Sequence, residues 1–252
     1  MVRFAVESGV RQFLDLGSGI PTEGNVHEIA QALDPASRVV YVDLEPTAVL
    51  HAREILAGVP RTAAVQGDLQ HPDGIFADPA VTGLLDLDAP VCLLMIAVLH
   101  FVPSGPPMPA ALRRYRETFA PGSCLAISHA TGGARPEELG RVADLYSRTG
   151  TPLVVRDRDE VAALFDGWRL VAPGIVYGPL WRPEPDQPPA ADPAPRTSPW
   201  RASASSPDPR PGAGEPAGGR TPQRSPAVTR RVGAQLTYTS GLPATEVSAT
   251  GP

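Results

Sequence analysis

The chain has 252 residues, 42% of them hydrophobic and 19% charged, with 31 prolines; that is enough for one sizeable α/β domain or two small ones. The net charge is −5, and all 22 basic residues are arginine, which excludes chemistry built on lysine: a pyridoxal Schiff base, a Walker phosphate lysine, a lysine nucleophile. Residues 1–182 carry 15 Arg against 21 Asp and Glu, and residues 183–252 carry 7 against 6, so neither part is a basic nucleic-acid surface.

The first apolar run, Gln12-Phe13-Leu14-Asp15-Leu16, predicts a strand that closes at Gly17. Val26, Ile29, Ala30 and Leu33 then follow at helical spacing, with Asn25 placed to cap the helix. Arg38-Val39-Val40-Tyr41-Val42 predicts a second strand ending at Asp43, and Pro46 suits the first turn of the next helix. A short third strand, Ala63–Gln66, closes at Gly67-Asp68, and a helical stretch over 72–86 is broken by Pro79. The strongest run, Val91–Leu99, is near-continuously apolar, as a strand covered on both faces must be.

Residues 109–119 read as a helix, Cys124–Ser128 as a fifth strand and 136–148 as a further helix. Asp157 with Glu160 forms a capping-box pattern ahead of Val161, Leu164 and Phe165. Two short runs, 169–171 and 175–177, are placed to pair antiparallel at a sheet edge. The alternation of strands and helices gives an α/β fold, a doubly wound and mostly parallel sheet.

Residues 1–182 are therefore expected to be one domain, and 183–252 a Pro/Ala/Ser/Gly-rich disordered tail that lacks the apolar residues to offset its ordering entropy. Within it, only Gln235–Thr239 has strand character. Cys92 and Cys124 lie in apolar runs and read as buried small hydrophobes. With no apolar run of about 18 residues and no signal-peptide pattern, neither a membrane span nor export is expected, and the location is read as cytoplasmic. The five histidines are scattered, so no metal site is expected.

Ligands of a doubly wound sheet bind outside the carboxyl ends of its strands. The groups found there are Asp15-Leu16-Gly17-Ser18-Gly19, Asp43, Asp68, His100 and His129. The glycines allow backbone to approach a ligand. Asp43 is placed to bond both hydroxyls of a ribose, and Asp68 an adenine amino group. A dinucleotide fingerprint needs a third glycine, but Ile20-Pro21-Thr22 follows Gly19. Asp15 would repel a pyrophosphate, whereas it suits the cationic methionine end of S-adenosylmethionine. An NAD-dependent oxidoreductase is therefore the weaker alternative.

The stretch FLDLGSGIPTEGNVHEIAQALDPASRVVYVDLEPTAVLHAREILA, with LLDLDAPVCLLMIAVLHFVP, PGSCLAISHAT and RDRDEVAALFDGWRLVAPGIV…PLWRP, resembles an actinobacterial family of SAM-dependent methyltransferases formerly grouped as a domain of unknown function. The resemblance spans about residues 3–183. It implies a Rossmann-like class I methyltransferase fold with a seven-stranded-type sheet and S-adenosyl-L-methionine as cofactor. It places Asp15, Gly17 and Gly19 at the methionine end, Asp43 on the ribose and Asp68 near the adenine, with Leu44 and Leu69 beside them. Ala97, Val98 and His100 then line the active-site face. Family members usually carry upstream helices that cover the cofactor. This chain begins almost at its first strand, so those cap helices are expected to be missing.

The activity expected is methyl transfer to an unidentified small molecule; a truncated, non-catalytic cofactor-binding domain is the alternative from another class. His100 and His129 are the candidate general bases, each weighed against a purely structural hydrogen-bonding role. His27, near the glycine turn, is expected to order that loop.

Overall fold

A computed structural model describes residues 1–21, 24–130 and 153–183, with the backbone alone at 200–205. Its elements in chain order are α1 (Val2–Glu7), β1 (Gln12–Leu16), α2 (Val26–Leu33), β2 (Arg38–Asp43), α3 (Pro46–Ile55), β3 (Thr62–Gln66), α4 (Pro72–Phe76), α5 (Pro79–Leu84) and β4 (Val91–Ile96). There follow α6 (Pro107–Thr118), β5 (Cys124–His129), α7 (Arg158–Ala163), β6 (Arg169–Leu170), β7 (Val176–Tyr177) and β8 (Trp200–Ser205). Proline opens α3, α4, α5 and α6, where its missing N–H has no helical partner to lose. Asp157 and Glu160 form the expected capping box of α7, and Asn25 with Glu28 forms another on α2.

The sheet order is β3-β2-β1-β4-β5-β8-β6, with β7 also paired to β8. The first five strands are parallel. This is the doubly wound arrangement expected, and its order reverses between β1 and β4. Each face is covered: Leu14, Val40, Leu93 and Leu125 pack toward α4 to α7, while Phe13, Val39, Leu94 and Ala126 pack toward α1 to α3. Strands covered twice over cannot alternate apolar and polar residues, which is why the runs in the sequence are continuous.

Two readings are corrected. The run 91–99 leaves the sheet at Ile96, because Ala97 turns to φ +54° and a 3₁₀ turn takes up Leu99–Phe101. The segments 169–171 and 175–177 do not pair with each other; β6 and β7 each pair antiparallel with β8. Later in the chain, β8 runs antiparallel beside β5. Its sequence, Trp-Arg-Ala-Ser-Ala-Ser, carries the strand period on small residues that give little hydrophobic signal. One helix has no counterpart in the sequence reading: α1 precedes β1, and its six residues are too few to show a periodicity, yet Val2, Ala5 and Val6 are buried. The helix expected over 136–148, the strand expected at 235–239 and the rest of the tail lie outside the described residues.

Leu93 is fully buried at the centre of β4. Leu93→Ala is expected to lower unfolding free energy by about 2–5 kcal/mol, read from urea denaturation.

Candidate functional site

The loop after β1 is fastened to the end of β2. The N–H groups of Gly17 and Ser18 both donate to the Val42 carbonyl, at 2.8 and 3.1 Å. Gly19 N–H donates to Asp43 Oδ2 at 2.7 Å, and Glu45 N–H to Asp43 Oδ1 at 3.0 Å. One carboxylate thus holds the glycine loop and opens α3. Gly17 and Gly19 have φ of +69° and +63°, which L side chains rarely adopt. They serve different ends. A Cβ on Gly17 would collide with the Val98 side chain, whereas a Cβ on Gly19 would meet nothing within 4 Å. Gly17 is packed shut against the turn after β4, and Gly19 borders open space.

Asp15 faces the same layer as Tyr41, its register partner on β2. The residue is partly open to solvent, but protein surrounds its carboxyl. Burial, and then the neighbouring Asp43 charge, push its pKa up to about 7. Among the described residues no cation pairs with it. A buried acid of this kind fits a positively charged group of a ligand.

Asp68 is linked to this pair through backbone: Gly67 N–H donates to the Asp43 carbonyl at 2.9 Å. Its own carboxylate turns to local partners, accepting from Gln70 N–H at 2.8 Å and lying 2.9 Å from His71 Nδ1. Leu69 is buried, and its carbonyl accepts from the Tyr115 hydroxyl at 3.0 Å. Leu44, after Asp43, is 58% exposed and presents apolar surface at the rim.

Beyond β4, Ala97 N–H donates to Ser128 Oγ at 2.8 Å, which anchors its left-handed conformation to β5. Val98 reaches Gly17, so the loops after β1 and β4 meet. His100 is buried in the 3₁₀ turn, with Nδ1 3.4 Å from the Ala130 amide. Its carbonyl accepts from Val154 N–H at 2.7 Å.

His129 is engaged at both ring nitrogens. Nδ1 donates to the Ala130 carbonyl at 2.7 Å, and Nε2 accepts from Arg156 Nη1 at 2.7 Å. These bonds assign the neutral Nδ1–H tautomer. With its lone pair occupied by a buried guanidinium, His129 has no free acceptor for a substrate proton. Burial is the main cause holding both His100 and His129 down to about 4, and the Arg156 charge lowers both further.

Arg156 went unnoticed in the sequence. It is buried, and besides His129 it donates to the carbonyls of Leu99 (2.6 Å) and Val102 (3.0 Å) and to Ser104 Oγ (3.3 Å). It clamps the turn after β4 to the end of β5. The only sequence signal was its place just before the Asp157 capping box, and nothing in that pattern marks an arginine as buried.

Residues 1–204 match the sequence model of a family described as S-adenosyl methyltransferase. A crystal structure of a DUF574 family protein from Streptomyces avermitilis MA-4680 is 39% identical, over 82% of this chain and 79% of that one, with a TM-score of 0.76. A crystal structure from Thermobifida fusca YX, described as a candidate methyltransferase, is 35% identical over 81% of this chain and 77% of that one, with a TM-score of 0.73. The mitomycin 7-O-methyltransferase MmcR, 20% identical with a TM-score of 0.53, covers 81% of this chain and 52% of its own, and shares the fold. No curated protein matches the chain significantly.

Two outcomes are expected of the ligand-free protein. Gly17→Ala, strained and in collision with Val98, should lose more than about 2 kcal/mol, whereas Gly19→Ala should lose only about 1 kcal/mol, compared by thermal melts. The buried histidines have folded pKa values below the unfolded value of 6.5. Their neutral forms therefore support the fold above pH 6.5, and stability should fall as pH drops from there toward 4. His129→Gln, which offers Arg156 an acceptor that does not titrate, should flatten that slope in melts recorded across this range.

Proposed function

Because the chain belongs to the S-adenosyl methyltransferase family, we propose that it transfers the methyl group of S-adenosylmethionine to a small-molecule acceptor held against the turn after β4. It is an S-adenosylmethionine-dependent methyltransferase by family and fold; the acceptor class and the residue roles are our reading of the site. The observation that carries this reading is Asp15, a buried carboxyl with no cationic partner among the described residues, set beside Asp43 at the point where the sheet order reverses.

When bound, S-adenosylmethionine supplies an electrophilic methyl group on a sulfonium. Asp15 would hold the positively charged methionine end, and the open side of Gly19 would admit it without steric conflict. Asp43, whose oxygens keep lone pairs beyond their two backbone bonds, would hold the ribose hydroxyls. Leu44 offers the base an apolar wall, with Asp68 and Leu69 at its edge. Ala97 and Val98 would set the position of the acceptor, and the turn they form is rigid because Gly17, Ser128 and Arg156 brace it. Alignment and exclusion of water are what such a displacement asks of a protein. His100 stays uncharged near neutral pH, so it would meet the acceptor as a neutral hydrogen-bonding group.

No observation favours the non-catalytic or the NAD-dependent reading. Among the described residues no helix is long and apolar enough to cross a membrane.

Calorimetry tests the proposal. S-adenosylmethionine and S-adenosylhomocysteine should both bind, NAD should not, and Asp43→Ala should weaken binding by at least about tenfold. Absence of binding by the folded wild-type chain would sink the reading. A cationic ligand requires Asp15 ionised, so the S-adenosylmethionine dissociation constant should rise as pH falls below about 7, by up to about tenfold per unit. In Asp15→Asn that dependence should vanish along with most of the affinity. The same variant should melt higher than wild type above pH 7, where the ionised buried carboxyl opposes folding.

A further inference from the structure

The loop after β1 has a second fastening, at its far end. Tyr41 is buried on β2, and its hydroxyl oxygen accepts the backbone N–H of His27, in the first turn of α2, at 3.0 Å. The Val26 amide also faces this oxygen. His27 Nδ1 lies 2.8 Å from the same oxygen, and the two rings meet edge to face at 90°. A phenol has one proton and two lone pairs. With backbone donors on the oxygen, its proton goes to Nδ1, which leaves His27 neutral with its hydrogen on Nε2. Burial holds His27 below its ordinary pKa, consistent with that form.

Three consecutive residues of β2 therefore hold the two ends of the connection between β1 and α2. Val42 holds Gly17 and Ser18 by its carbonyl, Asp43 holds Gly19 by its carboxylate, and Tyr41 holds the start of α2 by its hydroxyl. The first two bonds lie where a ligand would touch. The third lies behind them, on a side chain buried in the layer beneath the helices. A loop pinned at one end alone samples more conformations, and ordering it on binding costs affinity.

We propose that Tyr41 is a positioning residue for cofactor binding: through its hydrogen bonds to the backbone and ring of His27 it fixes the start of α2, and so the far end of the connection that begins at Gly17–Gly19, without touching the ligand. This rests on the reading that the loop receives S-adenosylmethionine.

The test is a variant set on the full chain, with S-adenosylhomocysteine as the calorimetric probe and thermal melts alongside. Tyr41→Phe, which removes both the acceptor of the His27 N–H and the donor to its ring, should weaken binding at least about fivefold while the ligand-free chain still folds, with a lowered melting temperature. His27→Ala should weaken it similarly. His27→Asn, whose Oδ1 sits near the place of Nδ1 and accepts the phenol proton, should stay within about twofold of wild type. The double variant Tyr41→Phe/His27→Ala should bind no more weakly than Tyr41→Phe alone, because the ring bond is already lost with the hydroxyl. Wild-type affinity in folded Tyr41→Phe overturns the proposal, as does multiplication of the two losses in the double variant. Should Tyr41→Phe fail to fold, the histidine pair decides: equal weakening in His27→Ala and His27→Asn overturns it, and rescue by asparagine supports it. A wild-type chain that binds no S-adenosylhomocysteine overturns the cofactor reading and this proposal together, whereas wild-type binding matched by Tyr41→Phe overturns this proposal alone.

Discussion

The site depends on how the end of β2 supports the loop that leaves β1. Backbone amides of Gly17, Ser18 and Gly19 have no strand or helix to satisfy them, and buried amides must be paired. Val42 and Asp43 supply the acceptors. The glycine dihedrals, the closure of Gly17 against Val98 and the opening beside Gly19 follow from that geometry. Asp43 is thus structural before any ligand arrives, and a carboxylate already oriented by two amides needs little further ordering to receive hydroxyl groups.

The electrostatics divide in two. At the β1–β2 end, a carboxyl is buried beside another with no described counter-charge, which costs stability and leaves a deficit that a cation would fill. At the β4–β5 end, both terminal nitrogens of the Arg156 guanidinium are taken up by carbonyls, a hydroxyl and an imidazole. The first arrangement is poised for an incoming group, and the second is self-contained. Both histidines lie in the second, which explains why one is spent on holding structure.

Much of this was legible in the sequence for a physical reason. Strands covered on both faces must be apolar throughout, so β1, β2, β4 and β5 announced themselves, and the residues closing them could be named before any coordinates. The tight turn at Gly17 and the acid at Asp43 are demands of local geometry and so leave local marks. What escaped depends on long-range partners. Arg156 is buried only because carbonyls some fifty residues away converge on it. Tyr41 read as one more aromatic in a core strand, since its role lies in a bond to a helix that starts after the loop. The roles of His100 and His129 could not be separated, because what distinguishes them is which nitrogen faces which neighbour. The strand β8 is built of small residues, whose place in a sheet is set by the partner strand rather than by their own preference.

That late strand bears on how the molecule is made. Every partner of β1 to β4 has been synthesised by the time His129 leaves the ribosome, whereas Cys124 on β5 must wait for Ser205 to gain its neighbour on the other side. In the interval the nascent sheet ends in an unpaired rim along β5, a template for pairing with other chains. Aggregation during translation should therefore track the arrival of residues 200–205 more closely than the stability of the finished fold.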